Sequence, residues 1–379
     1  MIYLDNASTT KCFESSAEIV KDALVVDYFN PSARYAQSLN SARKLNECRA
    51  AILDMVGASS NHGVVFTGSA TEANNLVLYS SLSRHKHNII SIGEHASIFE
   101  PCKMHKQNGI NIDELPLNGD GEVDMTEFSK LVTPQTEFVS VMLVSNETGA
   151  INNIEAIAKL AKKANPRCLV HVDAVQGFCK VNINMEMWGI DYLTISSHKV
   201  HGPKGVGALV YNKKAKLNPM ILGGGQENNK RSGTENLPAI LGFVNSAKIL
   251  SSNVSKNYQL TKAKKIALYN EIMSQAKESN ITILLNGNNE TSSPYILSLS
   301  FTGLRGEVLL HSLEKEGIMV GTGSACSSSE SDNRILRAMG RNKQEVEGNI
   351  RISLSAEELS FDEKEVATKI VSSAKRLKR

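Results

Sequence analysis

Through the middle of the chain, short β-rich runs alternate with helix-patterned segments, and this alternation limits the fold more than any other feature. "VVFT" (64–67), "NIISIG" (88–93), "EFVSVMLV" (137–144), "CLVHVDA" (168–174), "DYLTISS" (191–197) and "GALVY" (207–211) are the β-rich runs. Helical spacing fills 72–83, 97–108, 125–132 and 154–164 between them. Near-continuous apolar strands are buried on both faces, so the pattern predicts an α/β sheet covered by helices on each side. After Gly223–Gly225 the character changes. A long helical stretch (about 237–279) leads into "YILSLSF" (295–301), a helix at 306–316, "NIRISLS" (349–355) and a terminal helix. This α+β pattern predicts a second, smaller domain, with the boundary near residue 255.

Composition narrows the function classes. With 379 residues, 41% of them apolar, the chain can bury a core without staples. A net charge of +3 is near balance and argues against nucleic acid or a membrane surface as the main partner. "MIYLDNASTT" has neither the basic nor the apolar region of a signal peptide, and no apolar run approaches membrane-spanning length. The six cysteines (12, 48, 102, 168, 179 and 326) include no C-x-x-C pair, which fits free thiols in a reducing, cytoplasmic setting.

Four stretches carry groups suited to chemistry. Asp173, closing the apolar run of "LVHVDAVQ", is expected at the carboxyl end of a buried strand, where open α/β sheets bind ligands. A carboxylate there is either a turn or cap residue or a partner for a cationic ring nitrogen, and Gln176 lies within reach of the same ligand. Lys199, in "SSHKVHGPKG" (196–205), follows another apolar strand and suits imine formation with a carbonyl. A metal reading of His198 and His201 is weaker, because i and i+3 ligands share a face only on a helix and Gly202-Pro203 stops one. "FTGSATEANN" (66–75) reads as strand, turn and helix, with backbone N–H groups and hydroxyls aimed at an anion. Phosphate clamp, imine lysine and ring-nitrogen carboxylate are together what a pyridoxal phosphate site requires. In "GTGSACSSS" (321–329), Cys326 stands among small polar residues, a pattern that predicts an exposed, mobile loop and an accessible nucleophile.

"YLDNASTT", "GSATEANN", "SNETGAI", "HVDAVQ", "SSHKVHGPKG", "GGGQENNKRSGTEN" and "GSACSS" occur in that order from Tyr3 to about Ser355. Together they strongly resemble the cysteine desulfurases of the NifS/IscS group, in the class V aminotransferase family. The resemblance implies the fold-type-I architecture of pyridoxal phosphate enzymes: a large domain (16–255) with a mixed, mostly parallel sheet sandwiched by helices, and a small α+β domain (1–15 and 256–379) carrying the Cys326 loop. It also implies a homodimer and the release of sulfur from L-cysteine as alanine is made. Carried over by motif, Lys199 would hold the cofactor covalently, Asp173 would pair with its ring nitrogen and Gln176 with its ring hydroxyl. His95 would stack on the ring and move protons, with Asn146 near the ring hydroxyl and the substrate. Ala70, Thr71, Ser196 and His198 would bind the phosphate, joined by Thr234 from the other subunit. Arg351 would take the substrate carboxylate in a bidentate fork.

In the implied mechanism Lys199 removes the substrate α-proton and the Cys326 thiolate attacks the substrate sulfur, leaving a persulfide for an acceptor protein. That acceptor is an iron–sulfur scaffold or a tRNA-thiolation enzyme. Lys11-Cys12 replaces the family's usual proline, and Ser145 stands where an asparagine is frequent. The chain ends soon after its last predicted helix, whereas housekeeping members carry an extension that helps bind the scaffold, so the acceptor is left open. Two other readings remain: a selenocysteine lyase or other class V C–S lyase without persulfide chemistry, and a non-catalytic paralogue of the fold.

Overall fold

The computed structural model describes residues 1–83, 85–323 and 334–378. Among these residues twelve strands form: β1 (Ile2–Leu4), β2 (His62–Thr67), β3 (His87–Ser91), β4 (Asn111–Leu115), β5 (Thr136–Ser140), β6 (Leu169–Asp173), β7 (Tyr192–Ser196), β8 (Gly207–Asn212), β9 (Ile283–Asn286), β10 (Ile296–Phe301), β11 (Ile318–Val320) and β12 (Asn349–Ser353). Seven of them build one sheet in the order β2-β8-β7-β6-β5-β3-β4. Its β3–β4, β3–β5, β5–β6 and β6–β7 pairs are parallel, and only β8 runs against its neighbours. Successive side chains on a strand face opposite ways. Val64, Phe66, Ile89, Val139 and Val210 therefore feed one core, and Val65, Ile90, Phe138 and Leu209 the other. This is the two-faced α/β sheet expected from the apolar runs.

A separate core unites β10 and β12 with the helices Val254–Glu278, Gly306–Lys315 and Glu363–Leu377. The sheet here is antiparallel, β12-β10-β9, and the parallel pair β1–β11 joins it through bridges from Asp5 to Ser353 and from Gly321 to Arg351. Chain start and chain end thus share one core. The long helical stretch expected over 237–279 is two helices, Leu237–Ser251 and Val254–Glu278. The break falls at Ser252 and Asn253, side chains that compete with helical hydrogen bonds, and Asn253 takes non-helical angles (φ −132, ψ 18). Among the described residues no helix is long and apolar enough to cross a membrane.

Candidate active site

The strands β2, β3, β5, β6 and β7 all end at one edge of the large sheet, and the turns beyond them converge there. Asp173 is the last residue of β6 and Ser196 the last of β7; a single 3-10 turn, Ser197–Lys199, follows. After β2 the chain makes the turn Gly68-Ser69 and enters the helix Ala70–Ser81, with Ser69 Oγ accepting from Glu72 N at 3.1 Å. The Glu72 carboxylate reaches back to the turn and takes up the Gly68 N–H at 2.9 Å, while Arg231 holds it at 2.7 Å. That leaves the N–H groups of Ala70 and Thr71 at the helix start facing the cavity, a ready anion seat. A side chain at Gly207 would lie 2.8 Å from the Ala70 nitrogen, so β8 presses directly against this turn.

One cavity of about 640 Å³ occupies the strand edge. Lys199, Asp173, Gln176, His95, Ala70, Thr71, Asn146, Ser196, His198 and Arg351 all line it. Thr234 does not: it stands exposed on its own loop. Cys326 lies outside the described residues.

Lys199 Nζ donates to the carbonyls of Ala7 and Ser8, both at 2.6 Å. Burial, helped by repulsion from Arg351, brings its ammonium down to about 8, against the pull of Asp5 and Asp173. Asp173 is buried, and both oxygens accept from neutral donors: Oδ1 from the Val175 N–H at 3.0 Å, Oδ2 from Asn74 Nδ2 at 2.9 Å. Asn74, itself wholly buried, also donates to Ser97 Oγ at 2.8 Å, and Ser97 Oγ lies 2.8 Å from His95 Nδ1. Because the Ser97 N–H also donates to Nδ1, the imidazole carries its proton on Nε2. Burial holds His95 below the usual histidine range, with Asp173 opposing and Lys199 adding to the shift; the residue keeps exposed surface and lines the cavity. His198 is pushed down to about 4 by burial and by Lys199, Lys204 and Lys180. Glu94, with no exposed surface, is raised well above the carboxylate range by burial first and by Asp173 second.

The opposite wall belongs to β12. Arg351 Nη1 donates to the Asn146 carbonyl at 3.0 Å, and Nη2 to Asp5 Oδ1 at 3.0 Å and Ser8 Oγ at 2.8 Å. Its buried Nε has no hydrogen-bond partner among the described residues. A Cβ at Gly321 would come within 2.6 Å of Asp5 Oδ1 and 2.9 Å of Arg351 Nη2, so only glycine admits this pair. Asn146 Oδ1 is likewise buried without a partner among the described residues, an acceptor available to a ligand hydroxyl. Arg334 stacks 3.7 Å over the Phe99 ring and donates to the Glu94 carbonyl at 2.6 Å.

Asp5, Ser8, Asn74, Ser97 and Arg334 were not singled out from the sequence. Asp5 and Ser8 lie inside the quoted "YLDNASTT", but nothing local reveals a partner 346 residues away. His201, paired with His198 in the metal reading, instead stacks on Phe13 at 4.7 Å. Both of its nitrogens are engaged, Nδ1 with the Lys11 carbonyl and Nε2 with Ser355 Oγ, each at 2.8 Å.

Comparison with known proteins bears on this geometry. The family model for aminotransferase class-V matches residues 2–362. The chain is 34% identical over 358 residues to a cysteine desulfurase IscS of Dictyoglomus turgidum, covering 93% of this chain and 89% of that protein. A solved NifS-like protein superposes with a TM-score of 0.88 at 30% identity, over 100% of this chain and 99% of that one. A structure of SspA in complex with cysteine matches with a TM-score of 0.79 at 28% identity, over 94% of this chain and 99% of that one. The chain belongs to the aminotransferase class-V family and, within it, to the NifS/IscS group of cysteine desulfurases.

Proposed function

We propose that the chain is a pyridoxal phosphate-dependent cysteine desulfurase that converts L-cysteine to L-alanine and leaves the sulfur as a persulfide on Cys326. The observation that carries the reading is the convergence of Lys199, Asp173, His95 and Arg351 on one cavity. The donor set fits the cofactor: Ala70 and Thr71 N–H with Ser196 and His198 for a phosphate, Asp173 for a ring nitrogen, Gln176 and the orphan Asn146 Oδ1 for a ring hydroxyl. Pyridoxal phosphate, when bound, supplies an electron sink for a carbanion at the substrate α-carbon.

Lys199 would be the covalent anchor and, when free, the base at the substrate α-carbon; an amine lowered to about 8 is partly neutral near pH 7 and can take that proton. His95 would lie against the cofactor ring, with its Nε2–H edge placed to move protons. Arg351 orients the substrate through its carboxylate, which competes with Asp5 for the guanidinium. The Cys326 thiolate attacks the substrate sulfur. An S–S bond forms, the Cβ–S bond breaks, and the carbon's electron pair takes up a proton to give alanine. The persulfide passes to an acceptor protein, an iron–sulfur scaffold or a tRNA-thiolation enzyme, in the cytoplasm.

The reading includes a homodimer in which Thr234 completes the partner's phosphate site. Supporting it, Leu24, Val25, Val26, Tyr28, Tyr35 and Leu39 are all more than half exposed, large apolar side chains that an interface would cover. The two cores of the large sheet act in this reading as one large domain (16–255), and the separate core as a small domain (1–15 and 256–379).

The test is alanine and persulfide formation from L-cysteine by purified protein, with absorbance near ~400 nm reporting the lysine-bound cofactor. Cys326→Ala is expected to abolish sulfur transfer and keep the absorbance. Undiminished sulfide release from Cys326→Ala would instead assign the chain to the C–S lyases, and a colourless wild type that takes up no cofactor would sink the reading altogether.

A further inference from the structure

Beneath Lys199 lies a second, much smaller cavity of about 20 Å³, room for a single water. Lys180 and Lys199 both line it, with Cys179, His201 and Tyr295. Lys180 comes from the turn after β6 that also carries Gln176, just past a left-handed step at Cys179 (φ 58). It is only 8% exposed. Among the described residues its amine forms no ion pair; it donates to Gln176 Oε1 at 3.2 Å and stands 5.7 Å from the centre of the Tyr295 ring.

Two consequences follow from this placement. The Gln176 amide is clamped at both ends, its oxygen by Lys180 and its Nε2 by the Ala7 carbonyl at 2.9 Å, the same carbonyl that receives Lys199 at 2.6 Å. Its remaining N–H is then the group it can offer the main cavity. A buried ammonium without a carboxylate is also costly, and a second one nearby makes it costlier. Burial first and Lys199 second bring Lys180 down to about 7, and Cys179 is the opposing group. The other titratable groups turned toward it are His198 and His201, both held near 4 with Lys180 contributing to each, and Tyr295, whose phenol burial pushes up.

We propose that Lys180 is a positioning residue of this site, holding the Gln176 amide in one orientation and exchanging charge with Lys199, so that it gains a proton more readily when Lys199 is uncharged. The number of positive charges under the site then changes little as Lys199 cycles between ammonium, neutral amine and cofactor link. A protonated Lys180 also grips Gln176 Oε1 more strongly than a neutral one. The Gln176 part rests on the pyridoxal phosphate reading above, whereas the charge exchange is a property of the chain alone.

The first test uses cofactor-free protein. Lysine side chains labelled with 13C at Cε are titrated by NMR, with Lys180 assigned from Lys180→Met. In Lys199→Ala the Lys180 midpoint is expected to rise by roughly one pH unit, a tenfold gain in proton affinity; a midpoint that stays where it was overturns the charge exchange. The second test uses protein loaded with pyridoxal phosphate. Lys180→Met is expected to lower kcat about tenfold, the effect of one mispositioned hydrogen bond, with KM for L-cysteine nearly unchanged. Lys180→Gln, which restores an uncharged donor to Gln176, is expected to recover most of that loss. Wild-type kcat in both variants overturns the positioning role. If the wild-type chain takes up no cofactor, the functional reading fails and the NMR titration still decides the charge exchange.

Discussion

Asp173 and Arg351 stand at opposite walls of the same cavity, each a buried charge at a strand end or strand centre, yet they are neutralised in different ways. Asp173 is held by neutral donors alone, the Asn74 amide and the Val175 N–H. Among the described residues it forms no ion pair, although the Lys199 ammonium lies near enough to feel its pull; after burial, its charge is the next cause that raises Glu94. Arg351 already has a counter-charge, because Asp5 occupies Nη2. A buried carboxylate without a cation favours a positively charged ligand group; a guanidinium paired with an internal carboxylate favours a ligand carboxylate that can take over its partner. The first wall is built to receive a charge and the second to exchange one.

The largest effect is expected from neutralising the first wall. Asp173→Asn is expected to lower kcat for alanine formation by about 10²–10³-fold, the range for losing one preorganised electrostatic group. The cofactor-free variant is expected to be at least as stable as wild type in urea, since a buried charge without an ion pair is gone. By flipping its amide Asn74 can accept from the new side chain, because its buried Oδ1 has no partner among the described residues. A clear loss of stability in the cofactor-free variant would show that Asp173 is compensated after all, and the contrast between the walls would fail.

The second wall predicts a smaller, differently shaped loss. Arg351→Lys keeps the charge but cannot present a fork to a carboxylate. KM for L-cysteine is expected to rise by about 10- to 100-fold, one to two hydrogen bonds to a charged group, with kcat much less affected. If KM stays within about twofold of wild type, the guanidinium serves Asp5 and Ser8 structurally and the substrate carboxylate binds elsewhere.

These two walls were not equally legible in the sequence. Asp173 and Lys199 each close a strand visible as an apolar run, and parallel strands bring their ends to one edge, so local pattern already implied their meeting. The Asn74–Ser97 link to His95 was hidden, because a polar residue inside a helical pattern reads as a solvated face until the packing is known. The Asp5–Arg351 pair was hidden for a different reason: it depends on chain start and chain end sharing a core through β1, β11 and β12. β4, "NIDEL", escaped notice because it is an edge strand, and edges are commonly polar or charged. The helix break at Ser252-Asn253 was legible in kind but not in position, since such residues weaken a helix without ending it everywhere they occur.

The smallest effect probes the layer under Asp173. His171, two residues earlier on β6, is wholly buried between Ser140 Oγ at 2.9 Å and Thr194 Oγ1 at 3.1 Å. Burial pushes it from 6.5 down to about 3, so the folded chain keeps it neutral where the unfolded chain would protonate it. The unfolded state therefore binds the extra proton, and stability falls as pH drops below 6.5 and is fully present above it. This one group contributes a slope approaching 1.4 kcal/mol per pH unit, levelling off near 3. His171→Gln keeps a hydrogen-bonding side chain and removes the titration. Urea unfolding of both proteins at about pH 6.5 and about pH 5.5 is expected to show wild type losing roughly 1 kcal/mol more than the variant; other buried histidines, such as His201, act on both proteins and cancel. Parallel losses would mean that water or a relaxed neighbour admits the His171 proton, and that the layer under Asp173 is less dry than the burial of His171 implies.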